Sequence, residues 1–407
     1  MKMAFQWPLR LAGAAFLLLL SFGCAPIAPY HTEASPHPEA ISKGSVKQFE
    51  IIERSGLKVL LRRGSNGLKL SCAGGIKLVD PESGETLSEF GPGSHAQILA
   101  LNGHLTAMGR ELGVPEAMLE SVQEQDPIKV GGVSYRGHLF IKASGANLLL
   151  VNEVSLDEYL YGVLPGEVGS NWPIEALKAQ AVAARTYAIF RAQNSESKLY
   201  DLDDSTRSQV YFGISKEAQK TSQAVNDTSD MILTWQGKAA ETFFHANCGG
   251  HTADAASVWG TDLPYLRGVE DSFCDAGPHF AWHSEIDQDE LLARLAKAGL
   301  KLRDFERIEL RNRDRSGRWQ LVHFSGNGAD ATMGAQAFRI ALGPDVLRST
   351  NFEISRHGDV ERFEGRGWGH GVGLCQEGAW AMAKAGYRYK DILFHYFPGT
   401  RLQRLLQ

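Results

Sequence analysis

The chain has little of several features that mark out common protein classes. Its 407 residues carry a formal net charge of −5 and a pI of about 6.2. A nucleic-acid-binding protein needs a basic surface, so this balance argues against that function. No internal repeat is present, which argues against a repeat architecture. Apolar residues make up 43% of the chain, enough for a sizeable core, and the length suits two domains.

Long hydrophobic runs are also scarce. The apolar run Leu11–Phe22 follows a positively charged flank and is too short to span a bilayer comfortably. It predicts an export leader over residues 1–24 and a place in the periplasm or cell envelope. Gly23 followed by Cys24 is typical of a lipoprotein processing site, in which lipid on Cys24 anchors the protein to the membrane. An ordinary signal peptide cut nearby is the alternative.

Cysteine is rare outside this leader. Only Cys72, Cys248, Cys274 and Cys375 remain. In an oxidising compartment a disulfide is the first expectation, and the sequence does not choose among the pairings.

The rest of the chain divides by composition into three parts. Residues 25–47 are rich in Pro, Ala and Ser and predict a disordered tether. Residues 48–150 predict a small β-rich domain, because short apolar runs alternate with Gly, Asn and Asp. The predicted strands include Leu57–Leu61, Leu68–Leu70, Gly75–Leu78, Ala96–Leu101, Ser134–Ala143 and Leu148–Val154.

Residues 151–407 change in character, so the whole chain is predicted to be α+β. Pro173–Gln193 predicts a strong helix, with proline in its first turn and good helix formers after it. The other predicted elements are a helix at Ser284–Leu300, a hairpin at Ile308–Phe324, a helix at Met333–Leu342, a strand-like segment at Phe352–Phe363 and a helix at Tyr389–Tyr396.

Glu167 is the first candidate for chemistry. It is expected in a Pro-Gly turn before the strong helix, with Leu164, Pro165, Val168 and Trp172 as apolar neighbours. Apolar walls push a carboxyl toward its neutral form, which suits a general acid at a glycosidic oxygen. The N-terminus of the following helix would favour the anion instead. An ordinary loop carboxylate is the alternative.

The helix itself carries two polar pairs. Lys178 and Arg185 share one face, and Gln180 and Tyr187 lie on the opposite face. Both faces cannot line one cleft unless the helix is sandwiched. A solvated basic face is the alternative for Lys178 and Arg185.

The segment from His245 to His251 is the second candidate site. His245, Cys248, His251 and, further on, Cys274 could bind one zinc ion. Four protein ligands would make a closed structural site, whereas three ligands and a water would make a catalytic one. A Cys248–Cys274 disulfide explains the two cysteines equally well.

The third candidate site is a glycine-rich run, Gly365–Gly378. Six glycines indicate positive φ angles or close backbone approach, and no phosphate-binding register is present. His370 and Gln376 are therefore expected on a pocket wall, with tight turns that pack Trp368 as the alternative. Cys375 has no obvious base near it in sequence and is not predicted to be a nucleophile.

These three motifs, in this order, resemble the stage II sporulation protein D family over about residues 150–400. The segments are DEYLYGVLPGEV with the helix after it, HANCGGHT with the following VWG and PYL, and GRGWGHGVGLCQEGA with HYFPGT. The resemblance implies a lytic transglycosylase that cuts peptidoglycan glycan strands already stripped of stem peptides by an amidase. It makes Glu167 the catalytic residue. Cys375 departs from the serine more usual there and carries no prediction.

The resemblance also implies a set of binding residues. Lys178, Arg185, Tyr187, His370 and Gln376 would contact substrate, and zinc would be held by the segment that contains His245.

The chemistry is consistent with a single carboxylate. The substrate's own C6 hydroxyl can act as nucleophile and give a 1,6-anhydro end, so one glutamate serves as acid and then base. Hydrolysis would need a second carboxylate, for which Asp157 and Glu158 are the first candidates. Two other functions remain open: a non-catalytic wall-binding enhancer of an amidase, and a zinc hydrolase.

Overall fold

The computed structural model describes residues 56–405 apart from residues 66, 124–125 and 206–207. The predicted leader, tether and Cys24 anchor lie outside these residues. In the part of the chain that is described, no helix is long and apolar enough to cross a membrane. The architecture is mixed α+β, as predicted, and is built around three large hydrophobic cores.

The first core contains residues of two mainly antiparallel sheets, because alternate side chains of each strand point inward, and it also contains residues of the helices that follow. The strands are β1 Leu57–Ser65, β2 Gly67–Ser71, β3 Ile76–Val79, β4 Thr86–Phe90, β5 His95–Leu101, β6 His104–Ala107, β7 Arg110–Glu111, β8 Glu116–Ser121, β9 Lys129–Val130, β10 Val133–Ser134, β11 His138–Ser144 and β12 Asn147–Val154. The first sheet has the order β1-β12-β11-β8-β3-β4, and the second has the order β10-β9-β2-β5-β6-β7. Within the described residues from 56 to 150, the predicted β-rich character is thereby confirmed.

Three helices follow the sheets. They are α1 Leu156–Glu167, α2 Ile174–Gln193 and α3 Gln219–Asp227, and a short strand β13, Leu202–Asp203, joins the first sheet beside β1. α2 confirms the predicted strong helix. α1 corrects the predicted Pro-Gly turn: Pro165 lies in its last turn, where a missing N–H costs little, and Glu167 is its final residue. Ser155 caps the start of α1 by accepting from the Glu158 N–H at 3.4 Å.

Helix α2 is sandwiched between two cores. Ala181, Ala184 and Ala188 belong to the first core, while Ala179 and Val182 belong to the second. Residues 179–189 are buried without interruption. The position of α2 therefore explains how polar residues can occur on opposite faces of one helix without sharing a cleft.

The remaining elements surround the second and third cores. In chain order they are β14 Met231–Trp235, β15 Lys238–Ala239, β16 Phe244–His245, α4 Ala255–Trp259, β17 Ala281–Asp287, α5 Gln288–Lys297, β18 Arg307–Arg313, β19 Trp319–Gly326, β20 Ala329–Gly334, α6 Ala335–Leu342, β21 Phe352–His357, β22 Val360–Arg366, β23 Leu374–Cys375, α7 Gln376–Lys384, α8 Tyr389–Tyr396 and β24 Arg401–Arg404.

The third core belongs to residues 281–366, where two three-stranded sheets pack with α5 and α6. The predicted helix Ser284–Leu300 is wrong at its start, because residues 284–287 continue strand β17. Trp282 and Ile286 lie four residues apart and are both buried on one face of β17, as the two-residue period of a strand allows, while β17 pairs with β22. The β18–β19 hairpin and the helix α8 are confirmed, and Phe352–Phe363 forms a hairpin that turns at Gly358.

A parallel pairing connects two of the sequence motifs. β16 pairs with β23, so that Phe244 lies beside Leu374 and His245 beside Cys375. The glycine-rich run makes this possible: Gly373 has a φ of 75°, and a side chain there would collide with the Phe243 carbonyl. This pairing positions the residues of the candidate site.

Candidate active site

A cleft of about 290 Å³ opens where the end of α1, strand β16 and the start of α7 meet. Of the predicted site residues, Glu167, His245 and Gln376 line it. Aromatic side chains share the wall with them, among them Trp172, Phe212, Phe244 and Trp368. A mostly apolar wall with a few convergent polar groups is typical of a ligand site.

Glu167 lies half-buried on this wall, at the C-terminal end of α1. Its Oε1 accepts a hydrogen bond from the backbone N–H of Val210 at 3.3 Å. Removal of water raises the pKa of Glu167 to about 7, and the Val210 N–H only partly opposes the rise. Pro165, Val168 and Trp172 line the cleft beside it, as the sequence predicts. Glu167 is thus a carboxyl that holds a proton up to near-neutral pH.

The polar residues of α2 lie elsewhere. Lys178 pairs with Asp227 at 2.9 Å and with Glu175 at 3.6 Å. Tyr187 packs against the rings of Phe243 and Phe244, and burial raises its pKa to about 12. Neither Lys178 nor Tyr187 is among the residues that line the cleft with Glu167.

Arg185 is fully buried and holds several elements together. Its Nη2 pairs with Asp157 Oδ1 at 2.8 Å and donates to the Val225 carbonyl at 3.1 Å. Its Nη1 donates to the Met231 carbonyl at 3.3 Å. These contacts join α2 to α1, α3 and β14, and they leave Arg185 outside the cleft lining. Asp157, which the sequence suggested as a second carboxylate for hydrolysis, is therefore held in an ion pair.

His370 is also outside the cleft lining, and both of its ring nitrogens are engaged. Nδ1 accepts from the Val372 N–H at 3.1 Å, so Nε2 carries the proton and donates to the Phe244 carbonyl at 3.0 Å. Burial lowers the pKa of His370 to about 3, so the ring is neutral. A neutral ring with both nitrogens committed does not suit the substrate contact that the resemblance implies for His370.

His245 has a free acceptor. Its Nδ1 contacts the Val372 carbonyl at 3.1 Å, and because a carbonyl only accepts, Nδ1 carries the proton. Nε2 is buried without a hydrogen-bond partner, and burial lowers the pKa of His245 well below its usual range. The indole Nε1 of Trp368, another cleft residue, is likewise buried without a partner. The cleft wall thus holds one unpaired acceptor and one unpaired donor.

Glu377, which the sequence analysis missed, lines the cleft as a second carboxylate. Its Oε2 accepts from Asn247 Nδ2 at 2.6 Å and from the His279 N–H at 3.3 Å, and its Oε1 contacts the His279 ring. Its position directly after Gln376 in the glycine-rich motif was the available signal. Glu158 bonds to Ser155 at 2.7 Å and is not among the cleft-lining residues.

A buried group of possible metal ligands lies behind the cleft. The donor atoms of Cys248, Asp271, Cys274 and Cys375 all lie within 4.8 Å of one another. The sulfurs of Cys248 and Cys274 are 3.4 Å apart, well beyond the roughly 2.05 Å of a disulfide, so the alternative of a Cys248–Cys274 bond is not present here.

Of the four predicted zinc ligands, the structure brings together only Cys248 and Cys274, and two unpredicted residues join them. His245 and His251 are not in the group: the Nδ1 of His251 contacts the Thr252 carbonyl at 2.6 Å. Asp271 and Cys375 take their places. Asp271 lies in no motif, and Cys375 arrives through the β16–β23 pairing, which spacing along the chain does not reveal.

This fold and cleft define an α+β protein with a proton-bearing glutamate on an aromatic, polar wall. A family model described as stage II sporulation protein matches residues 144–235, and a model for a domain of unknown function matches residues 267–373. Stage II sporulation protein D of Bacillus subtilis is 32% identical over 268 residues, which cover 62% of this chain and 75% of that protein. The chain belongs to the stage II sporulation protein D family.

Two further relatives have sequence identities above and below this value. An uncharacterised protein of Brachyspira hyodysenteriae is 37% identical over 279 residues, 68% of this chain and 74% of that protein. The amidase enhancer of Bacillus subtilis is 28% identical over 291 residues, 60% of this chain but only 40% of that protein.

Proposed function

We propose that this protein is a lytic transglycosylase that cleaves the glycan strands of peptidoglycan, with Glu167 as acid and then base. The observation that carries the proposal is Glu167 itself: a carboxyl on a cleft wall whose pKa is raised to about 7. A proton donor poised near the working pH is what departure of a glycosidic oxygen requires.

The reaction follows in two proton transfers. Protonated Glu167 gives its proton to the glycosidic oxygen as the bond from the anomeric carbon to that oxygen breaks. The ionised Glu167 then takes the proton of the C6 hydroxyl, whose oxygen bonds to the same carbon and closes the 1,6-anhydro ring. Glu167 ends protonated, and no water is consumed. One carboxyl therefore suffices, in contrast to hydrolytic glycosidases.

The unpaired polar atoms of the wall support a ligand rich in hydroxyl groups. A sugar hydroxyl both donates and accepts, so it can bond to an acceptor such as His245 Nε2 and to a donor such as Trp368 Nε1. Gln376 supplies further polar contacts in the same wall, and the aromatic rings cover the faces of sugar units.

The test is a product analysis. Purified protein is incubated with glycan strands stripped of stem peptides, and the new ends are identified by mass spectrometry. We expect 1,6-anhydro ends from the native protein and none from a Glu167→Gln variant. Reducing ends would mean hydrolysis and would implicate Glu377, because it is the second carboxylate placed on the cleft wall.

Substitution of His245 by phenylalanine gives a second, smaller prediction. Phenylalanine keeps an aromatic ring but removes both nitrogens, so the Nε2 acceptor is lost together with the Nδ1 hydrogen bond to the Val372 carbonyl. We expect kcat/KM to fall about tenfold, the worth of one hydrogen bond to substrate. The control is His95→Phe, on the exposed end of β5. Equal rates for the two variants would remove His245 from substrate binding.

A second candidate function is enhancement of an amidase without catalysis, which the name of one Bacillus subtilis relative favours. We include a cell-wall amidase as a partner of this chain, because an amidase removes the stem peptides. If a Glu167→Gln variant still stimulated such an amidase while native protein released no glycan fragments, enhancement would replace cleavage as the function.

The zinc hydrolase has less support. A catalytic zinc ion keeps a coordination position open for water, whereas the buried group offers four protein donors. We place the protein in the cell envelope, exported by its leader and anchored through lipid on Cys24.

A further inference from the structure

Four buried side chains of types that can ligate a metal converge from distant parts of the chain behind the cleft. Cys248 follows β16, Asp271 precedes a 3₁₀ turn that begins at Cys274, and Cys375 ends β23. All four are buried. A buried set of three thiols and a carboxyl serves no step of the reaction described above, so its arrangement calls for a separate explanation.

The geometry points to a closed tetrahedral zinc site, and we propose that Cys248, Asp271, Cys274 and Cys375 bind one zinc ion. Zinc–sulfur bonds of about 2.3 Å place neighbouring ligands of a tetrahedron about 3.8 Å apart. Cys248 Sγ lies 3.4 Å from Cys274 Sγ and 3.2 Å from Asp271 Oδ2, and every pair falls within 4.8 Å. Small side-chain shifts would bring all four to bonding distance.

The surroundings supply the contacts that metal-bound thiolates use. Cys375 Sγ accepts the backbone N–H of Cys248 at 3.3 Å and that of Gly378 at 3.4 Å. The hydroxyl of Tyr396 donates to Asp271 Oδ2 at 2.9 Å and orients the carboxylate. Partners of this kind fix ligands around an ion.

The charged groups around the four side chains are also compatible with a bound zinc ion. Three thiolates and one carboxylate exceed the two positive charges of zinc, so a bound site would be anionic. The buried guanidinium of Arg318 donates to the Cys248 carbonyl at 2.8 Å and lies where it can offset that charge. Arg318 comes from the unit that contains the third core, so the site also connects that unit to the cleft.

The ion would act by holding part of the cleft wall in position. Cys375 directly precedes Gln376 and Glu377 in the cleft wall and pairs across β16–β23 with His245. An ion that joins Cys375 to Cys248 and Cys274 would hold this wall in place without touching substrate. The proposal concerns metal binding alone and does not depend on glycan cleavage.

The test uses the full chain and measures metal directly. Protein produced in zinc-supplemented medium is expected to contain about one zinc per chain by mass spectrometry of the metal. Cys274→Ser and Cys375→Ser should each lose it, while His251→Gln, which alters a ligand expected from sequence, should keep it. Cobalt in place of zinc should give thiolate-to-metal charge-transfer absorption, which Cys375→Ser weakens.

Native protein alone decides the question if the variants fail to fold. Removal of the ion by a chelator should lower Tm by several degrees, since binding energy to the folded state is stability. Metal-free native protein with a Cys248–Cys274 disulfide in its peptide map would overturn the proposal. Zinc that survives Cys375→Ser but not His251→Gln would overturn the ligand set.

Discussion

Replacement of Glu167 by glutamine is expected to slow glycan cleavage by at least about a hundredfold while the protein stays folded. Glutamine keeps the size and the acceptor for the Val210 N–H but has no proton to transfer, and general acid catalysis contributes about 10²–10⁴ in rate. The rate of anhydro-end formation measures the effect. Glu158→Gln is the matched control, because Glu158 lies in the same helix away from the cleft.

A Glu167→Gln variant that kept more than a tenth of the native rate would show that another group supplies the proton. Glu377→Gln would then be the next variant to examine, since Glu377 shares the cleft. If Glu158→Gln also lost activity, the loss in both variants would indicate a disturbed helix α1, not the absence of a proton donor.

The pH dependence follows from the same carboxyl. Because the pKa of Glu167 is about 7 in the folded protein, cleavage should decline as pH rises through 7 and the acid form is lost. Stability should change in the same direction. The folded pKa exceeds the ordinary glutamate value of 4.5, so the contribution of Glu167 to stability is complete below about 4.5 and is lost as pH rises to 7. Glu167→Gln should therefore gain Tm relative to native protein at pH 8 but not at pH 4.

Replacement of Arg185 by methionine is expected to cost about 2–4 kcal/mol of unfolding free energy. Arg185 is fully buried, so its removal leaves the Val225 and Met231 carbonyls without that donor. It also takes the ion-pair partner from Asp157, whose side chain is 28% exposed and keeps a hydrogen bond from Ser229. Urea denaturation measures the loss. Arg191→Met in the exposed last turn of α2 is the control and should change stability by less than about 1 kcal/mol.

Two results would separate the structural role of Arg185 from a substrate contact. Arg185→Met combined with Asp157→Leu should regain part of the stability, because the apolar pair leaves no unpaired carboxylate beside the core. Activity per folded molecule should be preserved, since Arg185 is absent from the cleft lining. A variant with native stability but no activity would instead favour the substrate contact that the family resemblance implies.

Local patterns in the sequence account for much of the fold. Helix α2 follows from proline in its first turn and a run of helix formers, and the N-terminal strands follow from short apolar runs between turn residues. Predictions were wrong where local signals compete. Pro165 and Gly166 indicate a turn, yet they fit in the last turn of α1, where few hydrogen bonds remain to be lost. Ile286 suits a helical stripe, yet pairing with β22 makes it part of a strand.

The sequence by itself determined the α+β class, the apolar setting of Glu167 and the need for glycine near Gly373. These properties depend on neighbours within a few residues, which composition and spacing record. Only the tertiary structure decided that α2 is buried on both faces, that Arg185 holds elements together, and that Cys375 and Asp271 join Cys248 and Cys274. Such contacts join residues far apart in sequence, and the packing of three cores, not any local pattern, brings them together.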